Sequence, residues 1–122
     1  MDSTRAAARQ AIADLAVATA QLRRHLQSNE RLHILALESL DGGLTIKETM
    51  AAIPSFEERK AAEDSMQHLY SVRHHVREAV ITAAVEEGMS VPEIAAAYGL
   101  PVDRAAAYVS ALTDRREAEP TG

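Results

Sequence analysis

Histidines and carboxylates are the residues here whose types suit metal binding or acid–base work, and their spacing argues against both. His68, His74 and His75 are close in sequence, with His25 and His33 upstream. On a helix His68 and His75 stand two turns apart, roughly 10 Å by helical rise, too far to share an ion. His74 and Glu78 are one turn apart and can face one ion, but two ligands make a weak site. These histidines read as surface or helix-packing residues. The pairs Glu57/Glu58 and Glu86/Glu87 are sequence neighbours, so their carboxylates diverge around a helix and solvated helix ends explain them. There is no Gly-rich phosphate loop, nucleophile elbow or metal-binding His-Glu motif. With no cysteine, disulfides and thiolate zinc sites are excluded. The expectation is a protein that is not an enzyme and has no metal and no cofactor.

The elements that would carry these side chains read as helices throughout. Alanine is abundant, aromatics are 3%, and the chain has 5 Gly and 4 Pro, a composition that favours helix. Residues 4 to about 27 read as one helix, with Ile12, Leu15, Thr19, Leu22 and Leu26 spaced 3, 4, 3 and 4 apart. This is a short heptad-like seam, suited to packing on its own domain or to dimerisation. Ser28 and Asn29 suit the end or bend of that helix. Leu32, Leu35, Ala36 and Leu40 continue as an apolar stripe until Asp41-Gly42-Gly43 stops it. Thr45-x-x-Glu48 and Ser55-x-x-Glu58 are capping boxes on either side of Pro54. From Phe56 to about Glu87 no strong breaker occurs, which allows one helix or two joined near Ser65 or Ser71.

Ser90-Val91-Pro92-Glu93 is a further capping box, with Pro near the helix start. Ile94, Ala95 and Tyr98 form its apolar stripe. Gly99 supplies a residue able to take φ > 0 past a helix end, and Pro101 suits the first position of a last helix reaching about Arg116. The tail EAEPTG is expected to be disordered.

A shift of 45 residues lays GLTIKETMAAIPSFEERKAA over GMSVPEIAAAYGLPVDRAAA. Gly43 falls on Gly88, Glu48 on Glu93 and Arg59 on Arg104. Alanine matches carry little weight in this chain; the shared Gly-apolar-hydroxyl-aliphatic-x-Glu pattern carries more. The reading is all-α: a helical bundle of tandem three-helix units with a long N-terminal helix. Its parts are residues 1–28, 29–66 and 67–116, with 117–122 as the tail.

Residues 76–112 resemble the helix-turn-helix superfamily of bacterial DNA-binding proteins, on Ala95 followed four residues later by Gly99, with Leu100 and Tyr108 at apolar packing positions. A degenerate copy covers about 31–66, where Pro54 replaces the turn glycine. The resemblance implies a transcriptional regulator whose recognition helix, residues 101 to about 112, enters the major groove of double-stranded DNA. Val102, Asp103, Arg104 and Ala107 would then face base edges, Arg104 pairing with guanine and Asp103 accepting from cytosine N4. Arg115 and Arg116, and Arg73 and Arg77 on the preceding helix, would contact phosphate. A second reading keeps the fold for protein contact, as in an antitoxin, an anti-sigma-like factor or a phage-encoded modulator. It is motivated by the formal net charge of −5 and the Ala-rich last helix. Phosphate contact needs a local positive face, and the chain as a whole is acidic. No apolar run reaches membrane-spanning length and no signal peptide is visible. A homodimer, cytoplasmic and nucleoid-associated if it binds DNA, is the expectation.

Overall fold

The structure, a computed structural model, describes residues 2–118. It contains helices α1 (Asp2–Asp41), α2 (Ile46–Ala52), α3 (Phe56–Glu86), α4 (Val91–Tyr98) and α5 (Val102–Ala118). No strand occurs among the described residues. The fold is therefore all-α with a long N-terminal helix. Residues 119–122, most of the expected tail, lie outside the described residues, and helix continues to Ala118.

Helix α1 does not stop near residue 28; it runs unbroken for 40 residues. Ser28 and Asn29 are poor helix formers, yet inside a helix each costs only about 0.7 kcal/mol or less relative to Ala. No Gly or Pro occurs before Gly42, which does end it. Leu44 N–H then bonds the Ser39 carbonyl at 3.0 Å across Gly43, whose φ is +98°. The same closure recurs 45 residues later, with Met89 N–H on the Ala84 carbonyl at 2.9 Å across Gly88. Helix α3 is likewise one helix of 31 residues.

Two of the three capping boxes form. Thr45 and Ser90 each accept from the backbone N–H three residues on, and Glu48 and Glu93 reach back to the cap N–H. At Ser55 only the carbonyl is used, accepting from Arg59 N–H.

The chain divides into two compact units, one of Met1–Ala13 with Arg73–Gly122, the other of Asp14–Val72. Each long helix gives one end to each unit. The unit containing α4 and α5 has a core of Ile81, Ile94 and Leu112, against which Ala84, Met89, Tyr98, Tyr108 and Val109 pack. Ala95 and Ala105 are also buried. Their small side chains let α4 and α5 approach closely. The start of α1 lies along the end of α3 here: the Thr4 hydroxyl donates to Glu86 Oε2 at 2.9 Å, and Arg5 pairs with Glu87 at 3.4 Å.

In the Asp14–Val72 unit the buried residues are Ala18, Thr49 and Ala62. The 45-residue shift explains why this core is poor. Ile81, Ile94 and Leu112 correspond to Ala36, Thr49 and Gln67. The echo keeps the Gly43 turn and the Thr45 capping box but lacks the large side chains, each of which would contribute about 1.5–3 kcal/mol if buried. Thr49 is buried and its hydroxyl has no hydrogen-bond partner.

The heptad-like seam is only half turned inward. Leu15 and Leu22 are partly buried, whereas Ile12, Thr19 and Leu26 are exposed. The hidden stripe of α1 runs through Ala8, Ala11, Leu15, Ala18 and Leu22, also spaced 3 and 4 apart. Small residues win these positions because they permit close helix approach at no side-chain entropy cost.

Candidate nucleic-acid interface

The α4–α5 turn is built around Gly99. Its backbone is left-handed, φ 65° and ψ 34°, a conformation that costs other L-residues roughly 1–2 kcal/mol. Leu100 N–H bonds the Ala95 carbonyl at 2.9 Å, closing the helix end. Pro101 falls one position earlier than expected. Its carbonyl accepts from Ala105 N–H at 3.0 Å, so it caps α5 instead of opening it. A capping position also leaves the missing proline N–H without consequence.

This turn presents the first turns of α5 to solvent. Val102, Asp103, Arg104 and Ala107 are all exposed, while Ala105 between them is buried. Asp103 Oδ1 accepts from the Arg104 backbone N–H at 3.0 Å, so this carboxylate is used locally at the helix start. The Arg104 guanidinium has no ion pair among the described residues.

The other arginines are more committed. Arg115 Nη2 lies 3.0 Å from Glu78 Oε1, and His74 Nε2 reaches the same oxygen at 3.0 Å. Arg116 Nη2 lies 2.6 Å from Glu86 Oε1. Arg77 sits over the Tyr98 ring, 5.8 Å from its centroid, a cation–π contact. Arg73 is exposed. The five arginines expected to meet DNA are thus not equivalent: Arg73 and Arg104 are open, Arg77 is held on a ring, and Arg115 and Arg116 are matched by carboxylates. An open groove of about 300 Å³ beside Arg115 and Arg116 is lined also by Thr4, His75, Thr82 and Leu112.

Charge and burial set the titration of the neighbours. Glu86 is held below the ordinary carboxylate value by its hydrogen bond from Arg116 and then by that from Thr4. Glu93 is lowered by the Ser90 backbone N–H, then the Ser90 side chain. Burial raises the phenols of Tyr98 and Tyr108, with Arg77 acting against it in both.

The pairing of Glu78 with Arg115, of Glu86 with Arg116 and of Tyr98 with Arg77 had no signal in the sequence. Arg115 and Glu78 are 37 residues apart, and no local spacing signals such a pair. Among the described residues no three His, Asp or Glu side chains are placed to hold a metal ion, and no helix is long and apolar enough to cross a membrane. Comparison of the chain with protein-family models, curated proteins and solved structures gave no match.

Proposed function

We propose that this chain is a small helix-turn-helix DNA-binding protein, a transcriptional regulator that reads the major groove with the start of α5. The observation that carries the reading is Arg104. It stands exposed and without an ion pair in the first turns of a helix that follows a left-handed glycine turn and packs on a buried core. A guanidinium so placed suits the O6 and N7 acceptors of guanine, with Val102 and Ala107 as apolar neighbours and Arg73 and Arg77 as phosphate contacts. The working assembly is a cytoplasmic, nucleoid-associated homodimer. Of the seam read from α1, Ile12, Thr19 and Leu26 are exposed. Selection of bound duplexes from a random library tests the proposal: a recurring motif supports it, and recovery of no enriched sequence at low salt opposes it.

One observation favours the protein-binding alternative. Ile46, Met50 and Phe56, around the degenerate turn, are 62%, 72% and 65% exposed. Large apolar groups left open together suit a protein partner better than phosphate. Stoichiometric copurification of one protein, with DNA binding absent, selects this reading.

A further inference from the structure

The face of α1 near Ala36 is unusual for a surface helix. Ile34 and Leu37 are 47% and 61% exposed, and Arg31, Glu38 and Asp41 share their side at helical spacing. The 45-residue echo shows what such a face meets elsewhere in this chain. Ile34, Leu37 and Asp41 correspond to Ala79, Thr82 and Glu86 of α3. Those three are partly buried, because the start of α1 lies along them. Thr4 bonds Glu86, and Thr4 and Ala7 line one groove with Ala79 and Thr82. The first helix of the C-terminal repeat therefore carries a second helix on this side. Its counterpart in the first repeat exposes larger apolar groups on the corresponding side.

We infer that this face binds the same face of a second copy of the chain, the two α1 helices crossing antiparallel near Ala36. The charge pattern selects that occupant. Arg31 stands at one end of the apolar pair and Asp41 at the other, about 15 Å apart along the helix. Neither has an ion pair among the described residues, Arg31 making only a 3.5 Å contact with Ser28 Oγ. In an antiparallel pair Arg31 of each copy falls opposite Asp41 of the other, twice by symmetry. Ile34 of one copy meets Leu37 of the other and the stem of its Glu38, whose carboxylate adds acid at the Arg31 end. Glu30, also on this side, faces Gly42. A two-fold contact of this kind is self-complementary, whereas a foreign helix would have to reproduce both the apolar centre and the opposed charges.

This inference does not rest on the DNA reading and is tested without DNA, by sedimentation of the full chain with helicity followed by circular dichroism. The intact protein is expected to dimerise. Leu37→Glu and Arg31→Asp are each expected to weaken the dimer by about tenfold or more with helicity kept, as like charges or a buried carboxylate cost on this scale. Arg31→Asp combined with Asp41→Arg restores the opposed pairs and is expected to recover the dimer. Leu26→Glu, on the upstream stripe, is expected to leave it intact. A monomeric intact protein overturns the inference. So does a double swap that fails to recover, or a dimer lost with Leu26→Glu and indifferent to Leu37→Glu.

Discussion

Arg115 Nη2 sits 3.0 Å from Glu78 Oε1, so a guanidinium on α5 that could serve a phosphate is already matched by a carboxylate of α3. Replacing Glu78 with Gln releases that charge. Under the DNA-binding reading, Glu78→Gln is expected to bind duplex DNA more tightly at low salt and to steepen the salt dependence by about one unit of slope. Anisotropy titrations at several salt concentrations read both effects. The loss of a surface ion pair changes stability by only about 1 kcal/mol or less, so thermal melting serves as the control.

The two repeats predict opposite responses at equivalent positions. Ile94 is 1% exposed in the Ile81–Leu112 core, and Ile94→Ala is expected to cost about 2–5 kcal/mol. Thr49, its counterpart, buries a hydroxyl with no partner. Thr49→Val replaces that hydroxyl with a methyl of similar shape and is expected to stabilise by about 1 kcal/mol. Urea unfolding of both variants decides the point; a destabilised Thr49→Val contradicts the account of that site.

The Gly99 turn gives a backbone test. Its φ of 65° requires the left-handed region, and no atom stands within 4 Å of where a Cβ would be. Gly99→Ala is therefore expected to lose about 1–2 kcal/mol through backbone strain alone. A melting temperature equal to that of the parent contradicts this reading.

Acid should act through carboxylates that are hydrogen-bonded in the fold. Glu86, lowered by Arg116 and Thr4, contributes stability that is complete above its unfolded value, near 4.5, and is lost as pH falls through its lower folded value. Glu48 and Glu93, lowered by the cap N–H groups of Thr45 and Ser90, act in the same sense. Arg116→Ala is expected to reduce the loss of stability below pH 4.5 relative to the parent. Denaturant midpoints measured from neutral to acid pH check the sign.

Local signals in the sequence carried much of the fold. Gly43, Gly88 and Gly99 marked helix ends because each supplies a positive-φ backbone that other residues avoid. Thr45 and Ser90 marked helix starts through bonds made within three residues. Ser28 and Asn29 misled, since a capping residue is also tolerated inside a long helix when no Gly or Pro enforces a stop. The seam through Ile12 and Leu26 misled in part, because periodicity finds large apolar residues while the close approach of α1 uses Ala8, Ala11 and Ala18. At the candidate interface, the exposure of Val102, Asp103, Arg104 and Ala107 followed from helical spacing. The pairing of Arg115 and Arg116 with Glu78 and Glu86 did not, because it depends on how α5 lies against α3.

The most direct measurement is the affinity of the intact chain and of Arg104→Ala for a selected duplex and for a random one, followed over salt. The account predicts tight binding to the selected duplex, and a loss of about 1–3 kcal/mol of discrimination with Arg104→Ala, with little change on random DNA. Absence of binding at low salt, or an Arg104→Ala variant with unchanged affinity and preference, would contradict it.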